Sequence, residues 1–432
     1  MKRPTLPLYY YLDHFMEMLE FVRTTYGEVL IGEHHAFMAQ FRTLSKDAQC
    51  LLIRMVNRRG SIFNRVLFKY AEISDIERAA SDLIACGLAR VLEAADYAAF
   101  VSCLPKETLA NGARAAGHAE VRLSWSKPKL VAYVLAEVPF AVAAEQCGGS
   151  QFIALSNTRP IEFLLYLYFG KTENDLKSFA LRDLGVLRTN TESAFSARFT
   201  DADEARVCFY YSQLLDRLAT PAVAVYGRAA DEILLGPLCP SNHASDLRSN
   251  AACIIGQFFE RNDRLDLALK LYSAGSSPEC NERLVRLLYA QGDKASAEER
   301  LRQMIDDPAS DSELIFATDF HARKFGGRRT GLCTELLRAA RTIVVDDAYR
   351  GNPEAGVAGV MRRQGSRVFF AENMLWHALF GLLFWDELFE SGHLHSGFDW
   401  VPHCLKDRSF ARTFAVEIET KLNHLRSGHA MT

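Results

Sequence analysis

Two carboxylates in the last fifth of the sequence are the first candidates for metal chemistry. Glu354 follows Pro353, a residue type that favours the first turn of a helix, and Glu372 directly precedes a long apolar stretch. Carboxylates in a first helical turn are ordinarily stabilised by the helix dipole, so position alone favours a capping role. Carboxylate oxygens are also the donors that hard divalent cations prefer, and the alternative is that Glu354 and Glu372 hold such a cation in one cleft.

A second candidate is a run of positive charge between residues 54 and 69. No Asp or Glu interrupts these 16 positions, and five of them are basic: Arg54, Arg58, Arg59, Arg65 and Lys69. Arg54 and Arg58 are four positions apart, so they share one face if the segment is helical. Uncompensated positive charges repel one another unless a polyanion is near, which favours phosphate binding over a solvated helix face.

Two further groups of reactive residues are interpreted as structural. One group has no recognised zinc-ligand spacing, and its Gly- and Ser-rich surroundings predict a mobile surface loop: His393, His395, His403 and Cys404. The other is the Glu-x-Lys pair Glu419 and Lys421, a pattern of metal-dependent nucleases that is accompanied there by Pro-Asp. The sequence contains no Pro-Asp, so we predict that Glu419 and Lys421 lie on an exposed helical face.

The composition is that of an ordinary globular protein. The 432 residues predict two to four domains, and 49% apolar with 24% charged residues exclude a disordered or collagen-like chain. A net charge of −3 requires any nucleic-acid site to be a local basic patch. Ten cysteines without a CxxC pair indicate a reducing, intracellular compartment. The sequence has no Walker A or kinase motif, no signal peptide and no apolar run long enough to cross a membrane.

The elements that position these residues are predicted to be mainly helical. Apolar residues recur at helical spacing from about residue 9 to 136, and we expect Gly87 to stop a helix in a unit of the winged-helix type. Residues 264–271 and 294–301 match with an offset of 30, which indicates stacked helical hairpins. The stretch 372–386 predicts a helix that is apolar on nearly every side and therefore buried.

Several short segments make the sequence resemble a known family. They are YYYLDHF at 9–15, LIRMVNRRG at 52–60, DLGV at 183–186, and AEN at 371–373 followed by LFGLLFWD at 379–386. In this order, over most of the chain, they resemble the bacterial Fanconi-associated nucleases. The resemblance implies a mainly α, multidomain protein. Its regions would be a SAP/winged-helix-like DNA-binding region at 1–140, a helical domain with TPR-like repeats at 150–325, and the start of an α/β restriction-endonuclease-like VRR-NUC domain at 340–432.

The same resemblance implies an activity and a site. Members of the family are structure-specific DNA repair nucleases that depend on Mg²⁺ or Mn²⁺, cut DNA near 5′ flaps and help to unhook interstrand crosslinks. By position, Glu372 corresponds to the family's first metal-binding, catalytic glutamate, and Glu354 to the acidic residue of the preceding helix. Arg54, Arg58 and Arg59 fall where the family places basic residues that receive DNA phosphate, including the 5′ end of a flap.

The resemblance also sets expectations for partners and competence. We expect branched 5′-flap DNA as the partner, a homodimer on DNA, no membrane, and a bacterial cytoplasmic location at the nucleoid. The family continues into a strand with Pro-Asp and Glu-x-Lys that this sequence lacks, so we expect flap binding without a complete catalytic core. The alternatives are a non-catalytic helical-repeat interaction protein and a winged-helix transcription factor. Salt-dependent DNA affinity argues against the first, and a preference for DNA shape over base sequence argues against the second.

Overall fold

A computed structural model describes most of the chain: residues 6–58, 60–172, 176–189, 195–219, 223–237, 239, 241–371, 374–390, 394–399, 401–406 and 409–427. Within these residues the fold is mainly helical, which confirms the predicted fold class. The chain divides into two compact units. The first comprises residues 1–192, 196–202 and 395–400, and the second 193–195, 203–394 and 401–432. Among the described residues, no helix is long and apolar enough to cross a membrane.

The first unit consists of helices and a small sheet. Its elements are α1 (Tyr10–Thr25), α2 (Gly32–Thr43), α3 (Lys46–Val56), β1 (Ile62–Asn64), α4 (Ile76–Ala85), β2 (Ala89–Arg90), α5 (Tyr97–Cys103), α6 (Lys106–Ala115), α7 (Lys127–Glu137), α8 (Phe140–Gln146), β3 (Phe152–Leu155), α9 (Arg159–Phe169) and α10 (Lys177–Asp183). Side-chain oxygens of Ser45 and Asp75 accept hydrogen bonds from the first free backbone N–H groups of α3 and α4. After α4 the chain turns at Gly87, whose φ of +73° favours glycine, so the predicted stop is confirmed.

The sheet holds together two parts of the unit that are distant in sequence. Its three antiparallel strands have the order β1-β3-β2, with Phe63 opposite Ile153 and Ala89 opposite Leu155. Helices α5 to α8 lie between β2 and β3 in the sequence and bury an apolar cluster of their own around Phe100. These helices are therefore an insertion whose two ends are held in place by the sheet.

Residues 395–399, which we name the return segment, complete the first unit from far along the sequence. The ring of Phe398 packs edge-on against Phe179, with 4.9 Å between ring centroids. The buried Arg198 guanidinium donates a hydrogen bond from Nη2 to a carboxylate oxygen of Asp399 at 2.8 Å. The return segment is thus fixed by both aromatic packing and a largely buried ion pair.

The prediction of a mobile surface loop is wrong for the described members of the histidine and cysteine group. His395 is buried, and its Nδ1 lies 2.8 Å from the carbonyl oxygen of Ser196. Cys404 is buried in an apolar cluster with Phe410. His393 and the side chain of His403 lie outside the described part of the chain. Glycine and serine content does not predict mobility here because packing partners elsewhere in the sequence fix the segment.

The second unit consists of successive helices. They are α11 (Ala202–Leu218), α12 (Val223–Leu235), α13 (Asn242–Arg261), α14 (Leu265–Ala274), α15 (Pro278–Ala290), α16 (Lys294–Asp306), α17 (Asp311–Lys324), α18 (Leu332–Ala339), α19 (Pro353–Arg363), α20 (Met374–Leu383), α21 (His403–Lys406), α22 (Phe410–Thr413) and α23 (Ala415–Arg426). Neighbours from α13 to α17 pack against one another in sequence order, as stacked helical hairpins do. This arrangement agrees with the hairpins predicted from the internal repeat.

The register of the repeat differs by one residue from the prediction. Helices α14 and α16 each follow a turn with one left-handed residue, Asp263 with φ +57° and Gly292 with φ +91°. The equivalent small residues inside the two helices are Ala268 and Ala297, both fully buried and 29 positions apart. The predicted offset of 30, which pairs the buried Leu271 and Leu301, is therefore one residue too long for the turns and helix starts.

The prediction that the apolar helix near residue 380 is buried is also wrong. None of the residues of α20 is buried, and Trp376 and Leu382 are each 69% exposed. Only the chain beyond α20 enters an apolar cluster, where Phe384 and Leu388 pack with Phe410. An all-apolar helix is buried only where partners cover every side, and the described residues cover only the end of this one.

Candidate nucleic-acid interface

Arg54 is held inside the first unit by a carboxylate that the sequence pattern did not suggest. It extends from the last turn of α3, and its Nε donates a hydrogen bond to Glu72 Oε1 at 3.0 Å. The guanidinium carbon lies 3.9 Å from the ring centroid of Tyr11, and the Tyr11 hydroxyl donates to the same Glu72 oxygen at 2.8 Å. Burial raises the pKa of the Glu72 carboxyl, but hydrogen bonds from Arg54, its own backbone N–H and Tyr11 outweigh burial and lower it. Arg54 is therefore charge-compensated.

Arg58 has a different environment although it is only four residues away. Helix α3 ends at Val56, so the helical spacing assumed for Arg54 and Arg58 does not continue to Arg58. The exposed guanidinium of Arg58 lies 5.4 Å from the Phe68 ring centroid and 5.5 Å from that of Tyr70, and the Arg54 guanidinium lies 5.0 Å from Tyr70. Arg58 has no ion-pair partner among the described residues, so its charge faces solvent.

The rest of the predicted basic run is only partly available. Arg65 forms an ion pair with Glu77 and donates a hydrogen bond to the Ser150 carbonyl oxygen at 2.7 Å. Lys69 is exposed and has no ion-pair partner within the described ranges. No carboxylate lies within the run in the sequence, as expected. In the fold, however, Glu72 and Glu77, which follow the run, form ion pairs with Arg54 and Arg65. Arg59 lies outside the described residues.

A second pairing of a basic and an aromatic side chain lies at the start of α7 in the insertion. The ammonium group of Lys129 is 4.2 Å from the centroid of the Trp125 ring. Lys127, in the same first turn, is exposed. In the sequence, the signal for this pairing is a Trp followed within four positions by two Lys.

The described residues do not assemble a metal centre. Glu354 is exposed in the first turn of α19, where Asn352 caps the helix by accepting a hydrogen bond from the Ala355 N–H at 3.1 Å. No group of three or more His, Cys, Asp or Glu side chains in the described stretches is arranged to hold a metal ion. Glu372 lies outside those stretches. The metal roles of Glu354 and Glu372 therefore remain predictions.

Lys421 does not lie on an open helical face as predicted. Its Nζ donates hydrogen bonds to the Leu383 carbonyl oxygen at 2.9 Å and to Glu387 Oε2 at 2.7 Å. Partial burial lowers the pKa of Lys421, but contact with Glu387 and Asp386 outweighs it and raises that pKa. Glu419 does point outward, with an exposed carboxylate 3.5 Å from Arg426. The Glu-x-Lys pair is thus divided: Glu419 faces solvent, and Lys421 forms an ion pair that joins α23 to Glu387, just after α20.

Comparison with known proteins identifies relatives of the chain. A family model described as the FAN1 HTH domain matches residues 9–90. A Fanconi-associated nuclease 1 homolog from Pseudomonas aeruginosa is 29% identical over 449 residues, which cover 98% of this chain and 77% of that protein. A homolog of the same description from Arabidopsis thaliana is 22% identical over 497 residues, covering 97% of this chain and 54% of the plant protein.

Solved structures agree with these relatives. A crystal structure of paFAN1 bound to 5′-flap DNA with a two-nucleotide flap and a gap matches 98% of this chain and 79% of that one, with 25% identity and a TM-score of 0.73. The corresponding complex with a one-nucleotide flap matches with 22% identity and a TM-score of 0.71, which supports the fold. The sequence comparison and the structure comparison both match Fanconi-associated nucleases over nearly the whole of this chain. The chain is therefore similar over nearly its whole length to Fanconi-associated nucleases.

Proposed function

We propose that this chain is a structure-specific DNA repair nuclease component whose first unit binds branched 5′-flap DNA. The observation that carries this proposal is the similarity over 98% of the chain, at 25% identity, to paFAN1 bound to 5′-flap DNA. Similarity of this extent includes the basic run and its aromatic neighbours. We therefore propose that residues of this run contact the DNA.

The charge distribution of the first unit supports the assignment. Arg58 and Lys69 are exposed and uncompensated among the described residues, while the chain as a whole carries a net charge of −3. Phosphate contacts made by such side chains dominate nonspecific DNA affinity. The rings of Phe68 and Tyr70 lie close to the Arg58 guanidinium. Arg54, whose charge is paired with Glu72, lies near the same Tyr70 ring. We propose that Arg59 and Arg65 contribute to the same surface.

The nuclease reaction of the family requires divalent metal, and we propose Mg²⁺ or Mn²⁺ for this chain. Glu354 and Glu372 are the proposed ligands because their carboxylate oxygens suit a hard cation. The described residues alone do not fit a metal site, so the arrangement of the ligands is left to a direct binding measurement. Mn²⁺ titration followed by electron paramagnetic resonance, on the wild type and on Glu372→Gln, makes that measurement. An unchanged signal in the variant would remove Glu372 from the site.

The domain, assembly and location predictions belong to the same proposal. We propose a DNA-binding region at 1–140, TPR-like repeats at 150–325 and the start of a nuclease domain at 340–432. We further propose that the chain forms a homodimer on DNA and works in the bacterial cytoplasm at the nucleoid. Sedimentation with and without flap DNA tests the dimer, and fluorescence microscopy of a tagged chain tests its location.

Fluorescence anisotropy over a range of salt concentrations tests the function. We expect tighter binding to a 5′-flap duplex than to a blunt duplex of equal length, with an affinity that falls steeply as salt rises. Salt-independent binding would favour the helical-repeat interaction protein, and strong dependence on base sequence would favour the transcription factor. A cleavage assay with Mg²⁺ or Mn²⁺ against EDTA then tests whether the chain cuts the DNA it binds.

A further inference from the structure

A strongly basic and exposed stretch precedes the apolar helix α20. From residue 323 to 367 the sequence has ten Lys or Arg residues against four Asp or Glu, in a chain whose net charge is −3. The basic residues are spread among apolar ones, so they form no continuous charged run in the sequence. Three of them lie together at the end of α19: Arg362, Arg363 and Arg367. All three are exposed, and none has an ion-pair partner among the described residues.

The chain folds back at this point to form a groove. Gly365, with φ +88°, reverses the chain after α19, and the Ser366 N–H donates a hydrogen bond to the Met361 carbonyl oxygen at 3.0 Å. Arg362 Nη2 donates to the Val368 carbonyl oxygen at 3.1 Å, which fixes the returning strand of chain against the helix. The returning residues 368–371 and one side of α19 enclose a cavity of about 400 Å³.

Two aromatic rings stand at the edge of this groove beside the arginines. Phe369 is 74% exposed and Phe370 is 62% exposed. The Arg367 guanidinium lies 5.5 Å from the Phe369 ring centroid, and the Arg362 guanidinium lies 5.8 Å from that of Phe370. Most of the groove lining is apolar, with Glu354 as its acidic member. An exposed aromatic pair next to uncompensated guanidinium groups forms an amphipathic surface, basic on one side and apolar on the other.

This combination matches the chemistry of unpaired nucleotides. Bases without a partner strand expose flat faces that stack on aromatic rings, while their phosphates pair with guanidinium groups. A duplex offers only the phosphates, because its base faces are already stacked. The three uncompensated arginines complement a polyanion, which favours nucleic acid over a protein segment as the occupant of the groove. Glu354 lies at the opposite end of α19 from these arginines, so it does not compensate their charge.

We propose that Arg362, Arg363 and Arg367 with Phe369 and Phe370 bind single-stranded DNA, specifically the unpaired strand of the branched substrate. The part of this proposal that names the substrate strand rests on the proposed function. In the sequence, Ala371, which lines the groove, directly precedes Glu372, the proposed metal ligand. The first unit would then bind phosphates of the duplex, and this groove would recognise that a strand is unpaired.

Binding of a fluorescein-labelled oligothymidine of about 15 nucleotides, compared with a blunt duplex, tests the proposal. The variant Phe369→Ala with Phe370→Ala should weaken oligothymidine binding by about tenfold and change duplex binding by less than about twofold. Leu336→Ala with Leu337→Ala is the matched control, since these consecutive apolar residues of the same unit are 62% and 78% exposed. This control should leave both affinities unchanged. Arg362→Gln with Arg367→Gln should lower the salt dependence of oligothymidine binding.

A second measurement keeps the test valid if the alanine variant folds poorly. In Phe370→Trp, stacking with bases should quench the added tryptophan fluorescence when oligothymidine is titrated, relative to the wild type. The absence of quenching, or unchanged oligothymidine affinity in a folded alanine variant, would overturn the proposal. If the alanine variant lost self-association in sedimentation but kept its oligothymidine binding, the groove would be a protein contact. That result would also overturn the proposal.

The outcomes separate this inference from the proposed function. If the wild type binds oligothymidine through Phe369 and Phe370 but shows no preference for flap over blunt duplex, the groove is established and the flap assignment fails. If the wild type prefers flap DNA and the phenylalanine variant keeps that preference and its oligothymidine affinity, the flap assignment stands and the groove proposal fails.

Discussion

Arg54 and Arg58 are four residues apart and are given different roles by a third residue, Glu72. The carboxylate compensates the charge of Arg54, whereas Arg58 remains uncompensated over two aromatic rings. A basic run in sequence therefore overstates the charge available to a ligand. In this chain the available charge has to be counted after pairing with carboxylates that lie later in the sequence.

The first prediction concerns the uncompensated arginine. Arg58→Glu combined with Arg59→Glu should weaken 5′-flap binding by at least about tenfold at moderate salt, because phosphate contacts are lost and like charge is introduced. Fluorescence anisotropy at two salt concentrations measures the effect. Lys270→Glu is the control and should bind as the wild type does, because Lys270 is an exposed residue of α14 without an ion-pair partner in the described part of the chain. Unchanged affinity and salt slope in the double variant would make the surface a solvated face.

The second prediction concerns the pH dependence of stability at Glu72. Its pKa is lowered in the folded protein, so its charge stabilises the fold above the unfolded pKa, and this contribution is lost as pH falls through the folded pKa. Glu72→Gln should cost about 2 kcal/mol at pH 7, and the difference from wild type should shrink toward about pH 3. Thermal unfolding at both pH values measures it. Glu77→Gln, in an exposed pair with Arg65, should change stability little at either pH; equal effects of Glu72→Gln at both pH values would contradict the prediction.

At the scale of elements, the sequence predicts what local chemistry determines. The end of α4 at Gly87 is predictable because glycine alone permits the left-handed turn, whatever surrounds it. Arg54 could not be assigned from sequence because its partner Glu72 is brought close by the loop between β1 and α4. The predicted burial of α20 is wrong because an apolar sequence shows only that burial would be favourable. Whether other elements cover the helix cannot be read from the helix's own sequence.

The third prediction concerns the ion pair between Lys421 of α23 and Glu387, which follows α20. Lys421→Met leaves the buried Glu387 carboxylate without its cation and should destabilise the second unit by about 3 kcal/mol. Denaturant unfolding followed by tryptophan fluorescence measures this loss. Adding Glu387→Gln should restore much of it, whereas Glu419→Gln on the exposed side of α23 should change stability by less than about 0.5 kcal/mol. A large loss of stability in Glu419→Gln would contradict the separation of Glu419 from Lys421.

At the scale of the whole molecule, two basic surfaces stand out against a net charge of −3. One contains Arg58 and Lys69 in the first unit, and the other contains Arg362, Arg363 and Arg367 in the second. We assign duplex phosphate to the first surface and the unpaired strand to the second. A chain that is acidic overall repels DNA weakly elsewhere, so we expect DNA contacts at such surfaces.

The fourth prediction concerns the return segment. Asp399→Ala removes the acceptor of the buried Arg198 guanidinium, so the first unit should lose about 3 kcal/mol of stability. Thermal unfolding of the full chain measures the change. Asp203→Asn, which affects an exposed pair with Arg206, is the matched control and should have a small effect. Unchanged melting in the Asp399 variant would mean that the return segment adds nothing to the stability of the first unit.

The return segment has a consequence for the order in which the chain folds during synthesis. Asp399 follows Arg198 by 201 positions, so the ribosome must translate the intervening residues before the first unit can close. At roughly 5–20 residues per second this delay lasts about 10–40 s. During that interval Phe179 lacks its contact with Phe398, and the Arg198 guanidinium lacks its hydrogen bond to Asp399. Early folding therefore leaves an incomplete first unit as a chaperone substrate, and a nascent chain arrested before residue 395 should be more sensitive to protease than one arrested well after residue 400.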